Sequence, residues 1–70
     1  MIRKYSITLH GHRTSFSLEE EFHDELRALA AARGRSLAAL IADVDERRSE
    51  EDNLSSALRV FVLQAVRSAT

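Results

Sequence analysis

The side chains with the greatest capacity for specific chemistry lie in residues 10–21, HGHRTSFSLEEE. Three polar residues recur at every second position: Arg13, Ser15 and Ser17. Between and after them stand Thr14, Phe16 and Leu18. Because alternate residues of a strand point to opposite faces, one face would be packed and the other would present a guanidinium and two hydroxyls. Arg and Ser can hydrogen-bond to base edges in the DNA major groove, so this face has groups that could read DNA.

Two histidines in the same stretch, His10 and His12, raise the question of a metal site. On a strand both side chains would point the same way and could chelate a transition metal. Two nitrogens do not complete a site, and the chain has no cysteine to add a thiolate. We therefore predict no metal and no cofactor, and we expect His10 and His12 either to flank a turn or, with His12 foremost, to donate to a phosphate beside Arg13.

The acidic side chains form two runs, Glu19–Glu21 and Glu50–Asp52. The first run complements the positive end of a helix dipole and the second is typical of a solvated connection. No nucleophile elbow or glycine-rich phosphate loop is present. The chain is also short for a substrate pocket, so we predict that it is not an enzyme.

Two alternating stretches predict strands over Tyr5–Leu9 and Arg13–Leu18, with a break at His10-Gly11. Their backbone groups need partners. Either the two strands form a hairpin, or Arg13–Leu18 pairs with its own copy in a second chain. Residues 1–11 are thus an N-terminal arm or an extra strand, preceding a core over residues 12–48.

The first helix is predicted to start with a capping box, Ser17 with Glu20, and to stop at Gly34. Its apolar stripe consists of Leu18, Phe22, Leu26, Leu29 and Ala30. Ser36 is predicted to cap a second helix. The apolar stripe of that helix consists of Leu37, Leu40, Ile41 and Val44.

Residues 49–70 are predicted to form an acidic connection and a C-terminal helix capped by Asn53. Its helical stripe consists of Leu54, Leu58, Phe61, Ala65 and Val66. Val60, Val62 and Leu63 make this helix apolar on more than one side, which indicates burial on several faces. A chain of 70 residues offers little to bury it against, so a partner chain is expected.

Composition and charge limit the class of protein. The absence of cysteine excludes a disulfide framework, and no apolar run approaches the length of a membrane span. The net charge is only −1, yet residues 1–16 carry Arg3, Lys4 and Arg13 and no acid. We expect a soluble, intracellular protein with one cationic end and modest non-specific affinity for DNA.

Residues 13–44, RTSFSLEEEFHDELRALAAARGRSLAALIADV, resemble the ribbon-helix-helix domain of the Arc/MetJ type. The resemblance lies in the alternating strand, the acidic helix start, the Gly-Arg-Ser turn and the following Leu-x-x-Leu-Ile pattern. HGHRTSFSLE and NLSSALRVFVL extend it over nearly the whole chain, toward a branch of short bacterial ribbon-helix-helix proteins of unassigned role.

The resemblance implies a mainly α fold with a short N-terminal strand, as an intertwined homodimer whose two strands form an antiparallel intermolecular ribbon in the major groove of double-stranded DNA. It makes Arg13, Ser15 and Ser17 the base-reading residues. It places Arg35 and Ser36 against phosphates, where a helix N-terminus favours an anion. Arg3 and Lys4 would add phosphate contacts, and several dimers side by side on DNA are a further expectation.

These observations favour a cytoplasmic, nucleoid-associated transcriptional regulator that binds specific DNA sequences. The alternative is a protein-interaction module, or an antitoxin-like partner binder, that uses the apolar C-terminal helix. A monomer without salt-dependent DNA binding would favour the alternative.

Overall fold

The computed structural model describes residues 1–69 as a β-hairpin followed by three helices. The elements are β1 (Ile2–Leu9), β2 (His12–Glu19), α1 (Glu20–Ala32), α2 (Leu37–Arg47) and α3 (Leu54–Ser68). This is the predicted order of strand, strand and three helices. Both strands are longer than the sequence pattern indicated.

The hairpin is antiparallel and runs from the closing pair Leu9–His12 to the last pair Ile2–Glu19. His10 and Gly11 form its two-residue turn with φ of 52° and 80°. Positive φ at both turn residues is typical of the type I′ turn, whose twist suits a tight hairpin. Of the two alternatives for residues 1–11, the extra strand is correct. The ribbon of the described chain is therefore formed within one chain, whereas the resemblance implies pairing between two.

The start of α1 differs from the prediction. The N-cap is Glu19, in extended conformation and without a side-chain cap hydrogen bond, so the predicted capping box from Ser17 to Glu20 is wrong. Ser17 instead remains in β2, opposite Lys4 of β1. Pairing with β1 keeps the chain extended to Glu19 and thereby overrides the local capping signal. Glu20 and Glu21 still occupy the first turn, where the helix dipole favours acids.

The turn between α1 and α2 is a Schellman motif. The Arg35 N–H donates to the Ala30 carbonyl at 2.9 Å, and the Gly34 N–H donates to the Ala31 carbonyl at 3.1 Å. Gly34 has φ of 65°, the left-handed conformation this motif requires. The predicted stop at Gly34 is thus confirmed.

Both predicted caps of the later helices are confirmed. The Ser36 hydroxyl accepts from the Ala39 N–H at 3.1 Å at the start of α2. The Asn53 side chain accepts from the Ser56 N–H at 2.7 Å at the start of α3. Each cap satisfies a backbone donor that the first helical turn leaves free.

One core holds the hairpin to the three helices. Its buried residues are Leu9, Phe16, Leu18, Leu26, Ala30, Leu40, Ile41, Val44, Leu54, Leu58 and Val62. On α3 the predicted stripe is only partly correct, because Val66 is 41% exposed. Residues four apart on a helix are offset by about 40° around its axis. Over the twelve residues from Leu54 to Val66 these offsets add up, and Val66 faces away from the core.

No helix of residues 1–69 is both long and apolar enough to cross a membrane.

Candidate nucleic-acid interface

The face of the hairpin that points away from the helices carries the predicted base-reading residues. Cross-strand neighbours share a face of the sheet. Four neighbouring pairs lie on this face: Thr8–Arg13, Ser6–Ser15, Lys4–Ser17 and, at the end away from the turn, Ile2–Glu19. We call the first three pairs the ribbon face; their six residues are all hydroxyl-bearing or cationic. Of these six, Ser17 is half-buried and the other five are exposed.

Ser6 and Thr8 are members of the ribbon face that the sequence reasoning missed. The alternation of β1 puts them on one side together with Lys4, away from the half-buried Tyr5 and Ile7. This alternation was visible in the sequence. Only the pairing register, however, shows that their side is the side of Arg13 and Ser15.

The two cations of the ribbon face are not neutralised by any other residue in the range 1–69. Among residues 1–69, neither Lys4 nor Arg13 takes part in an ion pair. Lys4 lies near one end of the hairpin and Arg13 near the turn. The face therefore offers a positive charge toward each end and hydroxyls between them.

Glu19, the last residue of β2, follows the ribbon face along the chain and forms an ion pair with α3. The Arg59 side chain of α3 donates to a Glu19 carboxylate oxygen at 3.0 Å. A backbone hydrogen bond and then the bond from Arg59 hold the pKa of Glu19 below its usual range. The carboxylate at the end of β2 is thus partly neutralised by α3.

The backbone of β2 at Ser17 also contacts α3. The Ser17 N–H donates to the Ser55 hydroxyl oxygen at 2.9 Å. The Ser17 carbonyl accepts from the Arg59 guanidinium at 3.4 Å. These bonds lie on the side of β2 away from β1, so α3 closes the free strand edge at this residue.

Two predicted phosphate-contacting residues, Arg3 and His12, lie on the opposite side of the hairpin from Arg13. Their cross-strand partners are Leu18 and Leu9, both buried in the core. Arg3 is exposed and pairs with Glu20 at 2.8 Å. His12 is exposed next to the turn. Neither belongs to the ribbon face.

The other predicted phosphate contacts, Arg35 and Ser36, lie at the start of α2 as expected. The Arg35 guanidinium pairs with Asp43, which raises the pKa of Arg35 and lowers that of Asp43. It also donates to the Ala39 carbonyl at 3.5 Å. Ser36 is exposed and its hydroxyl caps α2. A phosphate at this helix end would compete with Asp43 for Arg35.

The two histidines of the His-x-His stretch lie at the hairpin turn, His10 within it and His12 in the closing pair, which agrees with the predicted alternative that they flank a turn. His10 occupies the turn with positive φ, and its Nε2 atom lies 3.4 Å from a carboxylate oxygen of Glu46 in α2. Within residues 1–69, no group of three or more His, Cys, Asp or Glu side chains could hold a metal ion.

An aromatic stack fixes the hairpin to α1. Tyr5 lies parallel to His23, with ring centroids 3.9 Å apart, and 5.5 Å from Phe16. Burial, followed by the nearby charge of Arg27, lowers the pKa of His23 below its usual value. The neutral ring is therefore favoured, and the stack orients the ribbon face relative to the helices.

A hairpin with a polar, cationic outer face, followed by helices joined through a Gly-Arg-Ser Schellman turn, defines a ribbon-helix-helix fold. The family model of the ribbon-helix-helix domain matches residues 2–66, and the chain belongs to this family. Its members are in general DNA-binding transcription regulators and are typically not enzymes. No curated protein and no solved structure matches the chain significantly.

Proposed function

We propose that this protein binds specific sequences of double-stranded DNA through its ribbon face and thereby regulates transcription. The observation that carries the proposal is the ribbon face itself: two cations without ion-pair partners among residues 1–69, hydroxyls between them, and a hairpin with the width of two strands. The major groove admits a two-stranded ribbon.

The roles follow from the chemistry of each side chain. Arg13 has the fork geometry that recognises guanine, and Ser15 and Ser17 donate to or accept from base edges. Ser17 is free of the capping role the sequence suggested, which favours its reading role. Because Ser17 is half-buried, its hydroxyl is the least accessible to DNA of the three side chains.

Phosphate contacts would position the ribbon on the duplex without reading sequence. Lys4 is the best placed of the predicted cations because it lies on the ribbon face. Arg35 and Ser36 would meet a phosphate at the N-terminus of α2. Arg3 and His12 lie on the opposite face of the hairpin, so they would reach only phosphates that flank the ribbon.

We further propose that the protein acts as a homodimer, with several dimers side by side on longer sites. A domain of this size buries only about 60% of the surface that its unfolded chain exposes, and Val60, Leu63 and Val66 of α3 stay exposed. A bacterial regulator of this kind would work in the cytoplasm, on the nucleoid. Sedimentation of the free protein and the footprint length on DNA measure the two assembly states.

The experiment is selection of bound sites from random duplex DNA, followed by titrations at several salt concentrations. Arg13→Ala should relax the preference at one base position by about 5- to 150-fold, corresponding to about 1–3 kcal/mol for a bidentate contact. Arg27→Ala, which removes an exposed arginine of α1, is the matched control and should leave the preference unchanged. If both variants select the same sites as the wild type, Arg13 does not read bases.

The second candidate is a protein-interaction module that uses α3. Besides the exposed apolar side chains, a groove of about 460 Å³ lies between α2 and α3 and includes Phe61. The Arg33 guanidinium lies 5.4 Å from the centre of the Phe61 ring. A monomer whose DNA binding is absent or independent of salt would favour this candidate.

A further inference from the structure

We propose that the start of α3 is a latch on the outer edge of β2, and that this latch must open before two copies of the chain can join their β2 strands into one ribbon. This inference rests on the proposed function and its homodimer. It adds a regulatory role for α3, which controls how readily the DNA-binding form assembles.

The two edges of β2 are covered unequally. One edge pairs with β1 from Leu9–His12 to Ile2–Glu19. In a hairpin closed by a two-residue turn the closing pair is hydrogen-bonded, and hydrogen-bonded and non-hydrogen-bonded pairs alternate from there. The backbone groups of Arg13, Ser15 and Ser17 therefore point to the other edge, which we call the outer edge. A second copy can pair with β2 only along the outer edge, unless the whole hairpin opens.

At Ser17 the outer edge is already occupied by α3. The Ser17 N–H donates to the Ser55 hydroxyl oxygen at 2.9 Å, and the Ser17 carbonyl accepts from the Arg59 guanidinium at 3.4 Å. These two side chains replace the backbone partners that a neighbouring strand would supply. An antiparallel ribbon centred on Ser15 would pair each Arg13 with the Ser17 of the other copy, so it needs the same two backbone groups in both chains.

The latch consists of a few partly exposed polar contacts. Arg59 is held toward Ser17 by its ion pair with Glu19, whose side chains are 33% and 34% exposed, so water weakens the pair. The connection that precedes α3, residues 49–53, is exposed throughout. The start of α3 can therefore move away while Leu58 and Val62 keep the helix in the core. Opening the latch breaks fewer bonds than opening the ladder between β1 and β2.

The closed latch lowers the apparent strength of dimerisation. When only the open form can pair, the apparent affinity is reduced by the fraction of chains that are open. Two latches open for every dimer, so the dimerisation constant varies with the square of that fraction. The loss of one hydrogen bond changes the latch equilibrium by about two- to tenfold, and should therefore tighten dimerisation by about 4- to 100-fold.

The test is sedimentation equilibrium of the free wild type, Ser55→Ala and Ser56→Ala. The two serines are neighbours in the first turn of α3, but Ser55 binds β2 whereas Ser56 is exposed. Ser55→Ala should tighten dimerisation by about 4- to 100-fold, and Ser56→Ala should leave it unchanged. A merely structural role for Ser55 predicts the opposite sign, because a destabilised fold dimerises less well. Unchanged or weaker dimerisation of Ser55→Ala overturns the inference.

Arg59→Gln repeats the test at a second contact of the latch, so the outcome does not depend on the folding of one variant. Arg27→Gln, which changes an exposed arginine of α1, is its charge-matched control. Arg59→Gln should tighten dimerisation and Arg27→Gln should not. Equal dimerisation constants for these two variants would count against the latch.

A cysteine at position 15 shows whether the dimer that forms is the ribbon itself. The chain has no cysteine, so Ser15→Cys introduces a single thiol. In copies paired about Ser15 the two Cα atoms lie about 5.5 Å apart, within the range of a disulfide. Under oxidising conditions, Ser15→Cys combined with Ser55→Ala should give more disulfide-linked dimer than Ser15→Cys combined with Ser56→Ala. Equal yields would contradict release of the strand edge.

Failure of the proposed function would look different. If the wild type and Ser55→Ala select no common site from random duplex DNA, the proposed function is overturned, whereas the dimerisation constants still decide whether the latch exists. If both proteins select the same site and dimerisation does not respond to Ser55→Ala, the latch is overturned and the proposed function stands.

Discussion

Lys4 and Arg3 are adjacent cations on opposite faces of one strand, which makes them a matched pair for a test of the interface. Lys4 belongs to the ribbon face and has no ion-pair partner among residues 1–69. Arg3 lies on the other face and pairs with Glu20 at 2.8 Å. Replacing either by alanine changes the net charge by the same amount at nearly the same place.

The expected magnitude follows from counterion release. Each phosphate contact contributes about 0.9 to the slope of log affinity against log salt concentration. A variant that lacks one phosphate contact should therefore lose about 3.5-fold less affinity than the wild type when the salt concentration rises fourfold, for example from 50 to 200 mM. We expect this change for Lys4→Ala and nearly none for Arg3→Ala.

The assay is titration of a labelled duplex carrying a selected site, followed by fluorescence anisotropy at five or more salt concentrations. Circular dichroism of each variant checks that the hairpin and helices are retained. Equal slope changes for the two variants would show that only net charge matters, and would refute the placement of the ribbon face against DNA.

Further predictions concern stability. Leu58→Ala should cost about 2–5 kcal/mol in urea unfolding because Leu58 is fully buried, and a loss under 1 kcal/mol would mean that α3 is not part of the core. Because the Asn53 side chain caps α3, Asn53→Ala should cost about 1 kcal/mol in the same assay and Asn53→Gly only a few tenths; equal costs for the two variants would contradict the cap. Because the pKa of His23 is lowered in the folded state, protonation favours unfolding, so Tm should fall as pH decreases from 7 through 6.5 toward 5.5. His23→Phe should flatten this dependence; an unchanged pH profile would contradict it.

The helices were predictable because their signals are local. The caps at Ser36 and Asn53 and the stop at Gly34 each depend on a few neighbouring residues, and the structure confirms all three. The capping box at Ser17 failed because pairing with β1, a non-local interaction, competes with it. Local patterns are reliable where no distant partner competes for the same backbone.

The site was predictable only in part. The alternation of Arg13, Ser15 and Ser17 placed them on one face, and the structure agrees. Ser6 and Thr8 could not be assigned, because their face depends on which strand β1 pairs with and in which register. The contacts of α3 with Ser17 span about 40 positions of the chain and have no local signal.

The contact between α3 and the edge of β2 also bears on how the protein behaves at high concentration. An open strand edge is a template for unwanted pairing with other chains, and natural proteins cover such edges or place charges along them. Ser55 and Arg59 occupy both backbone groups of Ser17, and the charged Arg13 lies farther along the same strand. By covering the edge at Ser17, α3 shortens the length of β2 that is open to such pairing, so we expect truncation of α3 to make the chain more prone to aggregate.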